Sequence, residues 1–104
     1  MHTYFSLQGR TALVTGGTRG IGRMIAQGFL QAGARVFICA RDAAACAEVA
    51  AELSVYGECI GLAADLSSEE GATALAEQLG AQVQQLDILV NNAGTTWGGP
   101  LESY

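Results

Sequence analysis

The chain of 104 residues is 50% apolar and 14% charged, with a formal net charge of −5, so one compact domain is expected and two independent cores do not fit. Fourteen Gly scattered among apolar runs, against a single Pro, exclude collagen-like, low-complexity and disordered classes. All five basic residues are Arg (Arg10, Arg19, Arg23, Arg35, Arg41) against ten carboxylates; a grip on nucleic acid or on an anionic membrane needs clustered positive charge and is not expected.

The N-terminal stretch MHTYFSL has neither the positive n-region nor the apolar h-region of a signal peptide. No apolar run reaches the ~18 residues that span a bilayer. A cytoplasmic protein without membrane insertion is therefore expected. The one His, His2, has no Cys or carboxylate at ligand spacing, so no metal site is expected. Cys39, Cys46 and Cys59 are odd in number, lack C-x-x-C spacing and sit in apolar segments; they read as buried, reduced thiols.

In chain order, the first apolar run, TALVT at 11–15, predicts a strand. A helix follows in which Ile21, Met24, Ile25, Gly28 and Phe29 share one face, with Gly33 as its stop. RVFICA at 35–40 predicts the second strand, and Asp42 is placed to cap a second helix that turns Cys46, Val49, Ala50 and Leu53 inward. CIGLAA at 59–64 predicts the third strand. Ser67 and Glu70 have the spacing of a capping box before a third helix with Ala72, Leu75, Ala76, Leu79 and Val83 on one stripe. LDILVN at 86–91 predicts the fourth strand.

The β-α-β-α-β-α-β order, with strands apolar on both faces, predicts an α/β doubly wound parallel sheet of the Rossmann type in three layers, in spatial order 3-2-1-4. The winding reverses between the first and fourth strands, and ligands of such sheets bind at the carboxyl ends beside that reversal. Winding also places two helices on one face and a single helix on the other. Much apolar strand surface, and the fourth strand as a flat edge, would then be left open.

Four signals cluster at those carboxyl ends. Thr15-Gly16-Gly17-Thr18-Arg19-Gly20-Ile21-Gly22 runs from the first strand into the first helix. A helix N-terminus presents free N–H groups and partial positive charge, and Gly lets a pyrophosphate approach the backbone. The Gly-x3-Gly-x-Gly spacing differs from G-x-G-x-x-G, and a P-loop needs a Lys that this chain lacks. At the end of the second strand Ala40 stands where an NAD-selective protein has a carboxylate, and Arg41 follows; with Arg19 it would suit the 2′-phosphate of NADP(H). Asp42 is the alternative ribose contact, which would favour NAD, although capping the second helix is its preferred role. Asp65-Leu66 follows the third strand and Asn91-Asn92-Ala93-Gly94 the fourth, each of which taken singly is also ordinary turn chemistry.

Together these segments resemble the short-chain dehydrogenase/reductase superfamily over the whole chain. The resemblance implies pyrophosphate contacts from Gly16, Thr18, Arg19, Gly20 and Ile21, and a 2′-phosphate contact from Arg41. It implies adenine contacts from Asp65 and Leu66, nicotinamide-side ribose contacts from Asn92, Ala93 and Gly94, and a structural tie between central strands from Asn91. The segments at 1–7, 36–42 and 91–104 are similar to an NADPH-dependent branch of 3-oxoacyl-[acyl-carrier-protein] reductases associated with rhamnolipid biosynthesis. That branch implies a 3-oxoacyl thioester substrate on acyl carrier protein or coenzyme A, and a homo-oligomer at full length. Sugar-acid dehydrogenases of the superfamily share much of the pattern, and a non-catalytic NADP-binding or interaction module is the alternative of a different class.

The family's Tyr-x-x-x-Lys, and the Ser and later Asn that complete its chemistry, have no counterpart here. The chain contains no Lys, and its Tyr residues are Tyr4, Tyr56 and Tyr104. Residues 1–104 are therefore expected to be the N-terminal NADP(H)-binding part of a single Rossmann domain, with no catalytic residue in this chain and no turnover by it alone.

Overall fold

The computed structural model describes residues 6–92. Along the chain run β1 (Thr11–Thr15), α1 (Gly20–Gln31), β2 (Arg35–Ala40), α2 (Ala43–Leu53), β3 (Cys59–Ala63), α3 (Glu69–Gly80) and β4 (Ile88–Asn91). The strands pair in parallel in the order β3-β2-β1-β4, the winding expected from the element order.

β4 starts two residues later than its apolar run suggested. Asp87 is drawn out of the ladder because its carboxylate accepts from the Thr11 N–H at 2.8 Å while its own N–H donates to the Thr11 carbonyl at 2.9 Å. β3 ends at Ala63, one residue short of expectation, although the Ala64 N–H still donates to the Ala40 carbonyl at 3.0 Å.

Successive strand side chains point to opposite faces. Ala12, Val14, Val36 and Ile38 pack beneath α1 and α2, together with Ala26, Leu30, Val49, Ala50 and Leu53. Leu13, Phe37, Cys39 and Leu62 pack on the other face with Ala72, Leu75 and Leu79 of α3. The single helix covers more than the winding argument allowed: Leu13, Phe37 and Cys39 are at most 3% exposed. Among the large apolar strand side chains, partial cover falls on the two edge strands, at Ile60 of β3 and at Ile88, Leu89 and Val90 of β4, so the expected open apolar surface is reduced to those edges.

α1 departs from its predicted face. Gly22, Ala26 and Leu30 are its buried stripe, Ile25 and Phe29 lie at the margin, and Ile21 and Met24 are 67% and 71% exposed. Gly22 sets this rotation: a Cβ there would strike the Gly16 carbonyl and come within 2.6 Å of the Asn92 amide nitrogen, so the helix turns its smallest residue toward β1. At the far end Gly33 (φ +104°) closes the helix, with its N–H on the Leu30 carbonyl and the Ala34 N–H on the Phe29 carbonyl, both at 3.0 Å.

α2 buries the predicted Cys46, Val49, Ala50 and Leu53. α3 begins one residue late. Ser67 gives both its N–H (3.0 Å) and its hydroxyl (2.6 Å) to Asp65 Oδ1, so Ser68 becomes the cap, accepting from the Gly71 N–H at 3.0 Å. The Ser67–Glu70 capping box does not form. Ala76 is exposed, and Val83 lies past the helix end, half-buried.

Candidate functional site

A cleft of about 930 Å³ opens at the carboxyl ends of β1, β2 and β3. Gly16, Thr18, Arg19, Ala40, Arg41, Asp65, Leu66 and Asn92 all line it, so segments far apart in sequence meet where the winding reverses. Its size is that of a site for a large small-molecule ligand.

The floor is the turn between β1 and α1. Gly16 (φ +67°) adopts a backbone conformation that L side chains rarely take, and its N–H donates to the Cys39 carbonyl at 2.8 Å. Arg19 is the N-cap of α1 but makes no side-chain cap bond, and the first turn carries no acidic residue. The leading amides of α1 are therefore open to an anion. Gly20 and Ile21 do not line the cleft wall; they begin the helix, and what they offer there is backbone N–H.

Thr15 welds this turn to β4. Its hydroxyl lies 3.0 Å from Asn91 Oδ1 and 3.3 Å from the Val90 carbonyl, and it accepts from the Asn92 N–H at 3.0 Å. Thr15 is fully buried, so these bonds satisfy a polar group within the core. The Asn92 amide donates to the Gly16 carbonyl at 3.5 Å. Asn91 thus has the tying position expected of it, and Asn92 braces the Gly-rich turn. Ala93 and Gly94 lie outside the described residues.

At the end of β2 the charges divide. Asp42 is committed to α2, with Oδ1 accepting from Ala44 N–H at 2.9 Å and Ala45 N–H at 3.2 Å. Among the described residues the ion pairs are Arg10–Asp87, Arg23–Glu52 and Arg35–Glu58; Arg19 and Arg41 enter none of them. Asp65 is exposed, and its carboxyl is held below its ordinary value of 3.8 by the Ser67 hydroxyl first, then by the Ser67 N–H, with Arg41 attracting it from nearby. Both Ser67 bonds fall on Oδ1, and Asp65 lines the cleft.

Cys39, Cys46 and Cys59 are all free and buried. Burial pushes the Cys39 and Cys59 thiols up from 9.0 to about 11 and raises Cys46 as well, so they pack as small hydrophobes and are poor nucleophiles at neutral pH. Cys39 nevertheless reaches the cleft wall. It was not named from sequence as a site residue, and neither were Arg23, Glu48 and Ser67, which also line it.

A family model described as short chain dehydrogenase matches residues 10–104. The chain belongs to the short-chain dehydrogenase family. Over its whole length it is 70% identical to the rhamnolipids biosynthesis 3-oxoacyl-[acyl-carrier-protein] reductase of Pseudomonas aeruginosa, of which it covers 41%. The RhlG/NADP active-site complex of Pseudomonas aeruginosa superposes with a TM-score of 0.87 at 70% identity, covering 92% of this chain and 39% of that one. L-Sorbose reductase of Gluconobacter frateurii, complexed with NADPH and L-sorbose, has a TM-score of 0.81 at 34% identity, covering 95% of this chain and 38% of that one. The chain thus spans well under half the length of these relatives. Among the described residues of this short-chain dehydrogenase chain, no helix is long and apolar enough to cross a membrane.

Proposed function

We propose that residues 1–104 are the NADP(H)-holding part of a reductase of 3-oxoacyl thioesters, carried on acyl carrier protein or coenzyme A. The observation that carries the cofactor reading is the contrast at one cleft: α1 starts without a cap, Arg19 and Arg41 enter no ion pair among the described residues, and the nearest alternative ribose contact, Asp42, is engaged as the α2 cap. A cleft of this size and donor set fits a dinucleotide bearing a 2′-phosphate.

In this reading the α1 amides at Gly20 and Ile21, with Gly16, Thr18 and Arg19, hold the pyrophosphate. Arg41 and Arg19 clamp the 2′-phosphate, and Asp65 Oδ2 accepts from the adenine amino group beside Leu66. Asn92, Ala93 and Gly94 border the nicotinamide-side ribose. The bound cofactor supplies the hydride. This chain orients it, and proton delivery to the reduced carbonyl falls to residues outside these 104, because no Tyr-x-x-x-Lys exists here.

The thioester assignment rests on 70% identity, across the entire chain, to a relative named for that reaction. A second reading, a sugar reductase, is favoured by the L-sorbose reductase likeness, since the same cofactor frame serves both. The test is made on the full-length protein. NADPH binding is followed by nicotinamide fluorescence against NADH, and loss of NADPH absorbance is followed with a 3-oxoacyl thioester and with ketoses. Preference for NADPH and turnover of the thioester are expected. Equal binding of both cofactors overturns the cofactor reading, and turnover of ketoses alone moves the substrate to sugars. The chain of 104 residues by itself is expected to show no turnover.

A further inference from the structure

Ser67 lines the cleft yet has no part in the contacts assigned above. Its spacing predicted a cap for α3, and in the structure Ser68 takes that place. Ser67 holds Asp65 instead. Its hydroxyl donates to Asp65 Oδ1 at 2.6 Å, and its N–H donates to the same oxygen at 3.0 Å. The shorter bond has the length of a charge-assisted O–H···O⁻ contact, about 2.5–2.7 Å, and it is the chief cause that holds the Asp65 carboxyl below 3.8.

The backbone of Asp65 is fixed by the start of α3. Its carbonyl accepts from the Ser68 hydroxyl at 3.4 Å, and α3 packs so closely on it that a Cβ at Gly71 would strike that carbonyl. The side chain is exposed, and an exposed carboxylate left to itself samples several rotamers. Both Ser67 bonds fall on Oδ1, whereas among the described residues Oδ2 accepts no hydrogen bond and enters no ion pair. One oxygen is anchored and the other is left as an acceptor. We propose that Ser67 is a positioning residue for the cofactor base: by anchoring Asp65 Oδ1 it presets the rotamer in which Oδ2 accepts from the adenine 6-amino group. The inference rests on the adenine contact assigned to Asp65 under the proposed function.

An acceptor preset in its binding rotamer gains affinity because that freedom is not lost when the ligand arrives. Ser67 acts through Asp65 and needs no contact of its own with the base. The gain belongs to the 6-amino group alone. NADPH and NADH carry the same adenine, so both lose alike when the hydroxyl is removed. A hydroxyl that worked on the 2′-phosphate by way of Arg41 would move NADPH and spare NADH.

The test titrates three ligands into the full-length protein: NADPH, NADH, and the NADPH analogue whose base is purine, with hydrogen in place of the 6-amino group. The variants are Ser67→Ala, Ser67→Thr, Asp65→Ala and the Ser67→Ala/Asp65→Ala pair. Ser54→Ala, which loses a hydroxyl at the far end of α2, is the control. Wild type is expected to bind NADPH more tightly than the purine analogue. Ser67→Ala is expected to weaken NADPH and NADH equally, by roughly two- to tenfold, and to leave the purine analogue unchanged, with Ser67→Thr restoring the loss. Asp65→Ala is expected to abolish the preference for the amino-bearing base, so that Ser67→Ala adds nothing in that background, and Ser54→Ala to move none of the three. An unchanged or tightened NADPH affinity in Ser67→Ala overturns the inference. So does an equal loss for the purine analogue, a loss for NADPH alone, one that Ser67→Thr does not restore, or one that persists without Asp65. A wild-type protein that binds both bases equally overturns the adenine contact and this inference together, whereas a clear preference that Ser67→Ala keeps in full overturns the inference alone.

Discussion

The two edges of the sheet carry the same kinds of charge and use them in opposite ways. At the amino edge each strand starts beside a charged residue, and the charges are matched across neighbours: Arg35 Nε meets Glu58 at 2.9 Å between β2 and β3, and Arg10 lies 3.7 Å from Asp87 between β1 and β4. Arg35 also stacks over Phe37, 4.9 Å from the ring centroid. At the carboxyl edge Arg19 and Arg41 stand beside an uncapped helix. An edge whose cations are neutralised is finished as structure, whereas an edge that leaves cations and amides open is built for an anion.

The largest expected effect comes from breaking the packing that shapes the open edge. Gly22→Val drives side-chain atoms into the Gly16 carbonyl and the Asn92 amide and should cost about 3 kcal/mol of stability, read as a lowered urea midpoint, with NADPH binding lost alongside. Gly20 is the contrasting position, with φ +62° and nothing within 4 Å of an added Cβ. Gly20→Ala should cost about 1 kcal/mol, the strain of a left-handed backbone, a smaller shift in urea midpoint than Gly22→Val because no neighbour meets its methyl.

Next come the cations. Arg41→Gln and Arg19→Gln should each weaken NADPH by roughly 10- to 100-fold, the range of a hydrogen bond to a charged group, with far smaller changes for NADH. Arg10→Gln at the opposite edge should leave both affinities unchanged and shift stability by less than about 1 kcal/mol. A matching loss of NADPH affinity in Arg10→Gln would erase the distinction between the edges, since only a general charge effect would explain it.

Most of the fold was legible because strong periodicity and turn chemistry agreed. Four apolar runs, three helical stripes and the winding rule were enough for the 3-2-1-4 sheet, and α2 carries its predicted cap and its predicted buried face. α1 was misjudged because its buried stripe is made of Gly22 and Ala26 while larger Ile21 and Met24 face water; hydrophobicity alone cannot foresee a rotation dictated by close backbone approach. The α3 cap slipped because two serines adjoin Asp65 and either could turn to it. In the site, Gly16, Thr18, Arg19, Arg41, Asp65, Leu66 and Asn92 were found from sequence and do meet in one cleft. Arg23 and Glu48 were not, because which face of each helix reaches the cleft depends on how α1 and α2 pack on the sheet.

The capped helix start beside the open one offers a smaller test. Asp42→Ala removes both bonds to the Ala44 and Ala45 amides and should destabilise the protein by about 1 kcal/mol, measured as a shift in urea midpoint. Arg19→Ala, which removes no cap bond, should not show that loss. An equal loss from both would mean that α1 is capped by its Arg after all, and the open amides would no longer distinguish it from α2.

The smallest effect concerns Asp65, whose carboxyl is held below 3.8 chiefly by the Ser67 hydroxyl. A carboxyl whose native pKa is lowered adds stability that is complete above its ordinary value and is lost as pH falls below 3.8 through the native value. Ser67→Ala takes away the stronger of the two bonds on Oδ1 and should raise the Asp65 pKa toward 3.8, read directly by NMR titration of its carboxyl carbon. Arg41→Gln should raise it less, because attraction to Arg41 is the weaker cause. A Ser67→Ala protein in which Asp65 titrates unchanged would show that Ser67 does not hold Oδ1. Its hydroxyl would then not orient the Asp65 carboxylate, and the proposed adenine contact would lose the oriented acceptor on which it rests.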